Sequence, residues 1–376
     1  MKPAFFFKQL LKLAVQNIIL PFCYMTASGK DVDEKLVVFA DAHHDSLPDS
    51  MEMFFHYLKK ETDEGRKDLK IEEFFRDFSK MSASETLKSS VSFMKLYARA
   101  RCIILCDNFL PVSSCKKRKE TKVIQLWHGP GAFKKFGYDT PDDIPSFYKS
   151  NVFANYDLVT VSGHRAIAPF QSAMRQPDGV VRDLGIPRMD RWYDEAYLEG
   201  LREKFVSAYP EAKGKKVLLW APTFRGNAGV PSLAGLSDVE RLAEKLKDEW
   251  YVIISLHPHL LSLPEYKRYS QPLRSQEIMP SADVIMTDYS SILYDAVVLK
   301  KRLLIFAPDA CEFLDKRGVY MSMDEIPAVR VDDPEKMEQA LKDTFDNYDY
   351  DIQRAFFSSW LSSCDGNVCE RIGRYI

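Results

Sequence analysis

The chain has 376 residues, 46% of them hydrophobic, and this length suggests two domains rather than one. A formal net charge of −2 excludes the strongly basic surface of a general nucleic-acid binder. The seven cysteines are scattered, the closest pairs being Cys102/Cys106 and Cys364/Cys369, with no histidine at zinc-finger spacing, so they read as free cytosolic thiols.

Residues 1–28 open the chain with Phe5, Phe6, Phe7, Leu10, Leu11, Leu13, Ala14, Ile18 and Ile19 interleaved with Lys2, Lys8 and Lys12. A spanning helix needs roughly 20 mostly apolar residues. Here Lys8, Gln9, Lys12, Gln16 and Asn17 interrupt the run, and no clear small-residue cleavage site follows. A cationic amphipathic helix lying on an anionic bilayer is the expectation. The alternative is a helix whose apolar face packs on its own protein.

Next, KLVVFADAHHD (35–45) reads as a buried strand and a loop, followed by helical patterns at 48–61 and in IEEFFRDFSKM (71–81). ARCIILCDNF (100–109) is a second buried strand. A basic loop, CKKRKETK, leads into the strand VIQLW (123–127). A helix near 146–154, the strand YDLVTVSG (156–163), a helix at 164–174 and a short strand before LGIPRMDRWY complete the first half. A charged helix and loop (195–215) precede a second half. There, KKVLLWAPTFR (215–225) and WYVIISLHPHL (250–260) are strands that end in loops, with a polar helix between them. Residues 281–309 read as strand, turn, helix, strand, and the tail from 334 is helical.

Strands alternating with helices imply parallel βαβ construction, and two α/β halves facing each other across a cleft is the economical architecture. The expected divisions are 1–28, 29–194, 195–345 and 346–376, the last free to cross back to the first domain.

In open parallel sheets, ligands bind at the carboxyl ends of the strands. Past the apolar runs stand His128-Gly129, then His164-Arg165, then Thr223 and Arg225, then His257-Pro258-His259, and last Thr287, Asp288, Tyr289, Ser290 and Ser291. Histidines, hydroxyls and an arginine together suggest an anion site. Ser290 and Ser291 fall at the first turn of a helix, where free N–H groups favour phosphate; Ser290 as a plain N-cap is the bland reading. Asp295, one turn on, repels phosphate and suits polyol hydroxyls, unless it is a surface residue. Arg225 offers a planar fork for phosphate oxygens. His257 and His259 fit diphosphate binding better than metal binding, because no H-E-x-x-H motif or carboxylate cluster accompanies them. His43 and His44 either face the cleft or are solvated. No P-loop pattern occurs.

IQLWHGPGAFKKFG, GIPRMD, LLWAPTFRG, SLHPH, ADVIMTDYSSILYDAVVLKKRLLIFAPD, DKRGVY and DGNVCERI together, in this order, resemble the CDP-glycerol glycerophosphotransferases, the teichoic-acid primases and polymerases with relatives in capsule synthesis. The resemblance runs from about residue 35 to the C-terminus. It implies a GT-B-like fold of two Rossmann-like domains and peripheral attachment to the cytoplasmic face of the membrane.

The resemblance also implies an activity: transfer of glycerol phosphate from CDP-glycerol to a hydroxyl of an undecaprenyl-diphosphate-linked saccharide or a growing polymer, with release of CMP. The length is primase-like. His128 becomes the expected base. His257 becomes a second catalytic residue and also a donor ligand, beside Thr223, Arg225, Thr287, Ser290, Ser291 and Asp295, with Gly129, Arg188 and His259 as further substrate contacts. No cofactor and no protein-held metal site is expected, and a divalent cation is left open. CDP-ribitol as donor, a nucleotide-sugar glycosyltransferase and a non-catalytic membrane scaffold are the competing readings.

Overall fold

A computed structural model describes residues 13–140, 143–144, 150–227, 230–310 and 318–376. By contacts the chain divides into two units. The first holds the residues up to Gly129, Phe136–Asp190 and Ser363–Ile376; the second holds Pro130–Lys135 and Arg191–Ser362. The boundary between the units lies at Asp190/Arg191, beside the expected 194/195. Only Ser363–Ile376 of the terminal helices joins the first unit, whereas the expected return began at 346.

The first unit is built on a parallel sheet of β1 (Asp33–Asp41), β2 (Lys70–Phe75), β3 (Ala100–Leu105), β4 (Lys122–Gln125), β5 (Leu158–Thr160) and β6 (Val181–Arg182), in the order β2-β1-β3-β4-β5-β6. Val37, Val38 and Phe39 of β1 and Ile103, Ile104 and Leu105 of β3 are fully buried. That continuity is what a strand covered on both faces requires. Helix Asp49–Asp63 packs its buried Met51, Phe54 and Leu58 into this core, with Val368 and Ile372 of the C-terminal helix. Helix Ala83–Tyr97 starts in a full capping box between Ser82 and Glu85.

Two expectations fail here. IEEFFRDFSKM is not a helix: Lys70–Phe75 pairs with β1 as a parallel edge strand, and only Phe78–Lys80 makes a helical turn. The paired glutamates and phenylalanines mimic helical periodicity, but a row of backbone bonds to β1 outweighs so short a propensity signal. The helix expected near 146–154 falls partly outside the described residues, and the described part, 150–154, is turn.

The C-terminus returns because two distant motifs meet. Asp190 of the P-R-M-D motif accepts from Val368 N–H (3.1 Å) and Cys369 N–H (2.8 Å), so it holds the start of the last helix. Gly185 sits at φ +92, and a Cβ there would lie 2.3 Å from the Ser363 carbonyl oxygen. Only glycine fits that approach.

The second unit carries a parallel sheet of β7 (Lys216–Trp220), β10 (Trp250–Ile254), β11 (Val284–Thr287), β12 (Arg302–Phe306) and β13 (Val329–Val331), ordered β10-β7-β11-β12-β13. β8 (Arg225–Asn227) and β9 (Val230–Ser232) form a small antiparallel hairpin. Leu218, Trp220, Val284, Met286, Leu304 and Phe306 fill the core beneath helices Leu236–Leu246 and Met337–Asp346.

Segment 130–135 belongs to this unit through its backbone. Lys135 N–H donates to Gly318 O (3.1 Å), and Tyr320 N–H to Phe133 O (2.9 Å). Of the D-K-R-G-V-Y motif, 315–317 lie outside the described residues.

Candidate functional site

In the first unit, β4 and β3 end side by side and carry a histidine–carboxylate pair. His128 Nδ1 stands 3.4 Å from Asp107 Oδ2, and half of the imidazole is exposed. At this distance the pair is an ion-pair contact rather than a closed hydrogen bond, but a carboxylate beside Nδ1 favours the Nδ1–H tautomer, which leaves Nε2 with a lone pair.

Buried Gln125 fixes both strand ends. Its Nε2 donates to Asp107 O (2.9 Å), and its Oε1 accepts from Trp127 N–H (3.0 Å). Trp127 occupies the left-handed region at φ 58 and stacks on His128 with 4.4 Å between ring centroids. A bulky residue there costs on the order of 1–3 kcal/mol, a strain typical of functional turns. Asp107 was absent from the sequence reading. Its signal was present, an acidic residue directly past a buried strand, but its partner is 21 positions away.

Several first-unit expectations change. Arg188 is only 4% exposed, and its Nε donates to the His128 carbonyl (3.2 Å); it braces the His128 backbone from inside the protein, which leaves the expected substrate contact little surface. Gly131 belongs to the second unit. At φ +69, a Cβ there would fall 1.9 Å from the Tyr294 ring, so the glycine serves packing. Gly129 is half-buried, directly after His128.

In the second unit, the loops after β7, β10 and β11 emerge from one edge of the parallel sheet. His257 caps the turn Pro258–Leu261, its Nδ1 accepting from His259 N–H (3.2 Å). The proton of the neutral ring therefore sits on Nε2. Desolvation first, then the charges of His259 and Lys134, lower its pKa. At neutral pH, His257 is thus an uncharged donor rather than a cation. Phe224 packs on both histidines, at 4.8 and 5.3 Å between centroids. Ser290 is half-buried and Ser291 exposed, directly before helix Ile292–Val298, and Ser291 makes no side-chain capping bond.

Three expected donor ligands have other work. Arg225 is clamped by two carboxylates: Nε and Nη2 meet Asp309 at 2.6 and 2.9 Å, Nη1 meets Asp288 Oδ2 at 2.8 Å, and Nη1 also reaches Thr223 O at 2.5 Å. Its fork is filled from within, so it shapes the loop around Thr223, whose N–H donates to Asp288 (2.9 Å). Thr287 is fully buried and donates to Ala221 O (2.7 Å). Asp295 is 1% exposed and accepts from the Trp192 indole (2.9 Å), so it cannot meet polyol hydroxyls. Among the described residues, no three His, Cys, Asp or Glu side chains group as a metal site.

Comparison with known proteins decides the family. The model of the family described as CDP-Glycerol:Poly(glycerophosphate) glycerophosphotransferase matches residues 22–376. The chain belongs to this family. It is 30% identical to the teichoic acid ribitol-phosphate primase of Bacillus spizizenii, over 92% of this chain and 91% of that protein. It is also 30% identical to the teichoic acid glycerol-phosphate primase of Bacillus subtilis, over 73% of each. It spans only 50% of the teichoic acid poly(ribitol-phosphate) polymerase of Bacillus spizizenii.

Among solved structures, the wall teichoic acid polymerase TagF superposes with a TM-score of 0.71 at 20% identity, covering 100% of this chain and 97% of that one. The UDP-GlcNAc 2-epimerase of Methanocaldococcus jannaschii reaches 0.56 at 12% identity, over 92% and 99%. The fold is the GT-B-like one expected, and the protein is a phosphotransferase of the teichoic-acid primase and polymerase family.

Proposed function

We propose that this protein transfers glycerol phosphate from CDP-glycerol to a hydroxyl of a lipid-diphosphate-linked saccharide, releasing CMP, as a primase. The observation that carries this reading is the division of labour between the strand ends. The first unit presents an oriented base, His128 with Asp107 behind it. The second presents donors suited to a diphosphate, namely His257 Nε2–H, Ser290 and Ser291.

In the reaction, the acceptor oxygen attacks the phosphorus that bears the glycerol, and its proton passes to His128 Nε2. The new O–P bond forms as the bond to the CMP oxygen breaks, and CMP leaves with that electron pair. Charge building on the phosphoryl oxygens calls for donors of the kind that the second unit presents.

CDP-ribitol is the second reading, favoured by the fuller match to the ribitol-phosphate primase, 92% of this chain against 73%. The test offers CDP-glycerol, CDP-ribitol and UDP-sugars in parallel with a lipid-disaccharide acceptor. Acceptor-dependent CMP release is expected. UDP release alone would move the protein to the glycosyltransferases.

We also propose peripheral attachment to an anionic membrane. Residues 1–12, with Lys2, Lys8 and Lys12, lie outside the described residues. Helix Leu20–Ala27 buries Leu20 and Tyr24, with Tyr24 against Tyr97 (5.0 Å between centroids), while its Phe22 (60%) and Met25 (64%), with Ile18 (68%) of the preceding segment Val15–Ile19, are exposed. One face therefore packs on the protein and the other supplies an apolar stripe. The basic loop lies beside it: Arg118 N–H donates to the Tyr24 hydroxyl (3.0 Å), with Lys116 and Lys119 exposed. Among the described residues, no helix is long and apolar enough to cross a membrane.

Replacing Ile18, Phe22 and Met25 together by serine should weaken binding to phosphatidylglycerol liposomes by roughly tenfold or more, from the lost apolar burial. The melting temperature should stay unchanged. Unaltered liposome sedimentation would leave the helix as packing alone. Deleting 1–28 is the poorer test, because it also uncovers Tyr97.

A further inference from the structure

A second histidine–carboxylate pair stands at the same sheet edge as His128. β1 ends in Asp41, whose side chain is buried. Asp41 Oδ2 accepts from His43 N–H (2.7 Å) and lies 2.9 Å from His44 Nδ1, while Oδ1 lies 3.7 Å from Cys106 Sγ. The His44 ring is half-exposed. A buried carboxylate is costly unless hydrogen-bonded, and here one of its partners is an imidazole directed to solvent.

The loop that carries His44 is braced on both sides. Phe78 N–H donates to Ala42 O (2.9 Å), and Asp77 N–H to Asp45 Oδ1 (2.9 Å). Lys80 pairs with both Asp45 and Asp77 at 2.9 Å. A surface histidine of no consequence needs neither a buried orienting group nor a braced loop.

The placement gives the ring a use. β1 and β4 flank β3, and Cys106 and Asp107 are consecutive residues at its end, one touching Asp41 and the other His128. Two strand spacings separate the two histidine-bearing strands, about 10 Å. That is the scale of a sugar or polyol unit, so one ligand can touch both rings. The groups beside His44, namely Asp41, Asp45 and Asp77, are hydrogen-bond acceptors, and Lys80 is already paired with the last two. They match a ligand rich in hydroxyl donors and oppose a phosphate.

From this we infer that His44, oriented by Asp41, binds a hydroxyl of the acceptor saccharide or polyol at a point away from the reacting oxygen. With Nδ1–H held by Asp41, the neutral ring offers the Nε2 lone pair to that hydroxyl. His44 is then an acceptor-binding residue, and Asp41 a positioning residue acting through it. The inference rests on His128 being the base that faces the acceptor.

The test uses full-length protein, CDP-glycerol or CDP-ribitol, and a short-chain lipid-diphosphate disaccharide. His44→Asn keeps a donor for Asp41 but lacks the reach of Nε2. It should raise the acceptor KM about fivefold to tenfold, the loss of one hydrogen bond, with donor KM unchanged and kcat within about twofold. His44→Gln, whose amide reaches the Nε2 position, should recover part of the loss. Asp41→Asn should raise the acceptor KM in the same direction, and should add nothing in the His44→Asn background, because both act through one contact. An unchanged acceptor KM in His44→Asn, or an equal rise in donor KM, overturns the assignment while wild-type turnover leaves the transferase reading standing. Wild-type protein that releases CMP from neither CDP-polyol overturns both.

Discussion

His128→Ala should lower kcat by roughly 10²–10⁴-fold, the usual contribution of a positioned general base. Donor affinity should be untouched, because the groups proposed to hold the diphosphate, His257, Ser290 and Ser291, lie in the other unit. CMP release under saturating substrates, set beside a direct CDP-glycerol titration, separates the two quantities. Normal turnover in the variant would remove His128 from the chemistry. Asp107→Asn should cost less than His128→Ala, since it disturbs the tautomer and orientation of the imidazole without removing it. Gln125 ties the ends of β3 and β4 into one frame, which places Asp107 beside His128.

Arg225→Met should destabilise the second unit by about 3–5 kcal/mol, the cost of leaving buried charges without their partner. Asp288 is buried and Asp309 partly so, and both meet the guanidinium directly. For a unit of this size the melting temperature should fall by roughly 10 °C. Donor binding should fail with it, because the loop at Thr223 hangs from the same knot.

The pH dependence has a definite sign. The Arg225 hydrogen bonds hold the Asp309 carboxyl below its ordinary value. The stabilisation from this pair is therefore full above the ordinary carboxylate range and is lost as pH falls through the lowered value. Calorimetry from pH 7 down to 3 on wild type and variant reads this directly, the two curves converging at the acid end. A variant with wild-type melting temperature and lost donor binding would return Arg225 to the role of a direct phosphate ligand.

Much of the scaffold was legible because buried parallel strands advertise themselves as unbroken apolar runs. KLVVFAD, ARCIIL, KVLLW and DVIMT all lie in the two sheets. The ends of such runs also mark His128, His257 and Ser290. What the chain could not display was which polar residues face inward. Arg225 reads as an anion fork until Asp309, 84 positions on, is seen to fill it. Asp295 and Thr287 look like ligands beside Ser290 and Ser291, yet helix and strand geometry turns both into the core. Arg188 points at the His128 carbonyl from behind, a contact spanning 60 residues. Edge strand β2 was misread because its six residues carry too little periodicity to compete with a helix pattern. Asp107 and Asp41 were missed for the converse reason: a single acidic residue after a strand means nothing until the histidine it faces is known.

The central claim is polyol-phosphate transfer, and the mass of the product tests it most directly. With CDP-glycerol or CDP-ribitol and a lipid-diphosphate disaccharide, the acceptor should gain the mass of a single polyol-phosphate unit, matched mole for mole by CMP. An acceptor that gains a sugar residue from a UDP-sugar, or no mass from either CDP-polyol, would contradict it.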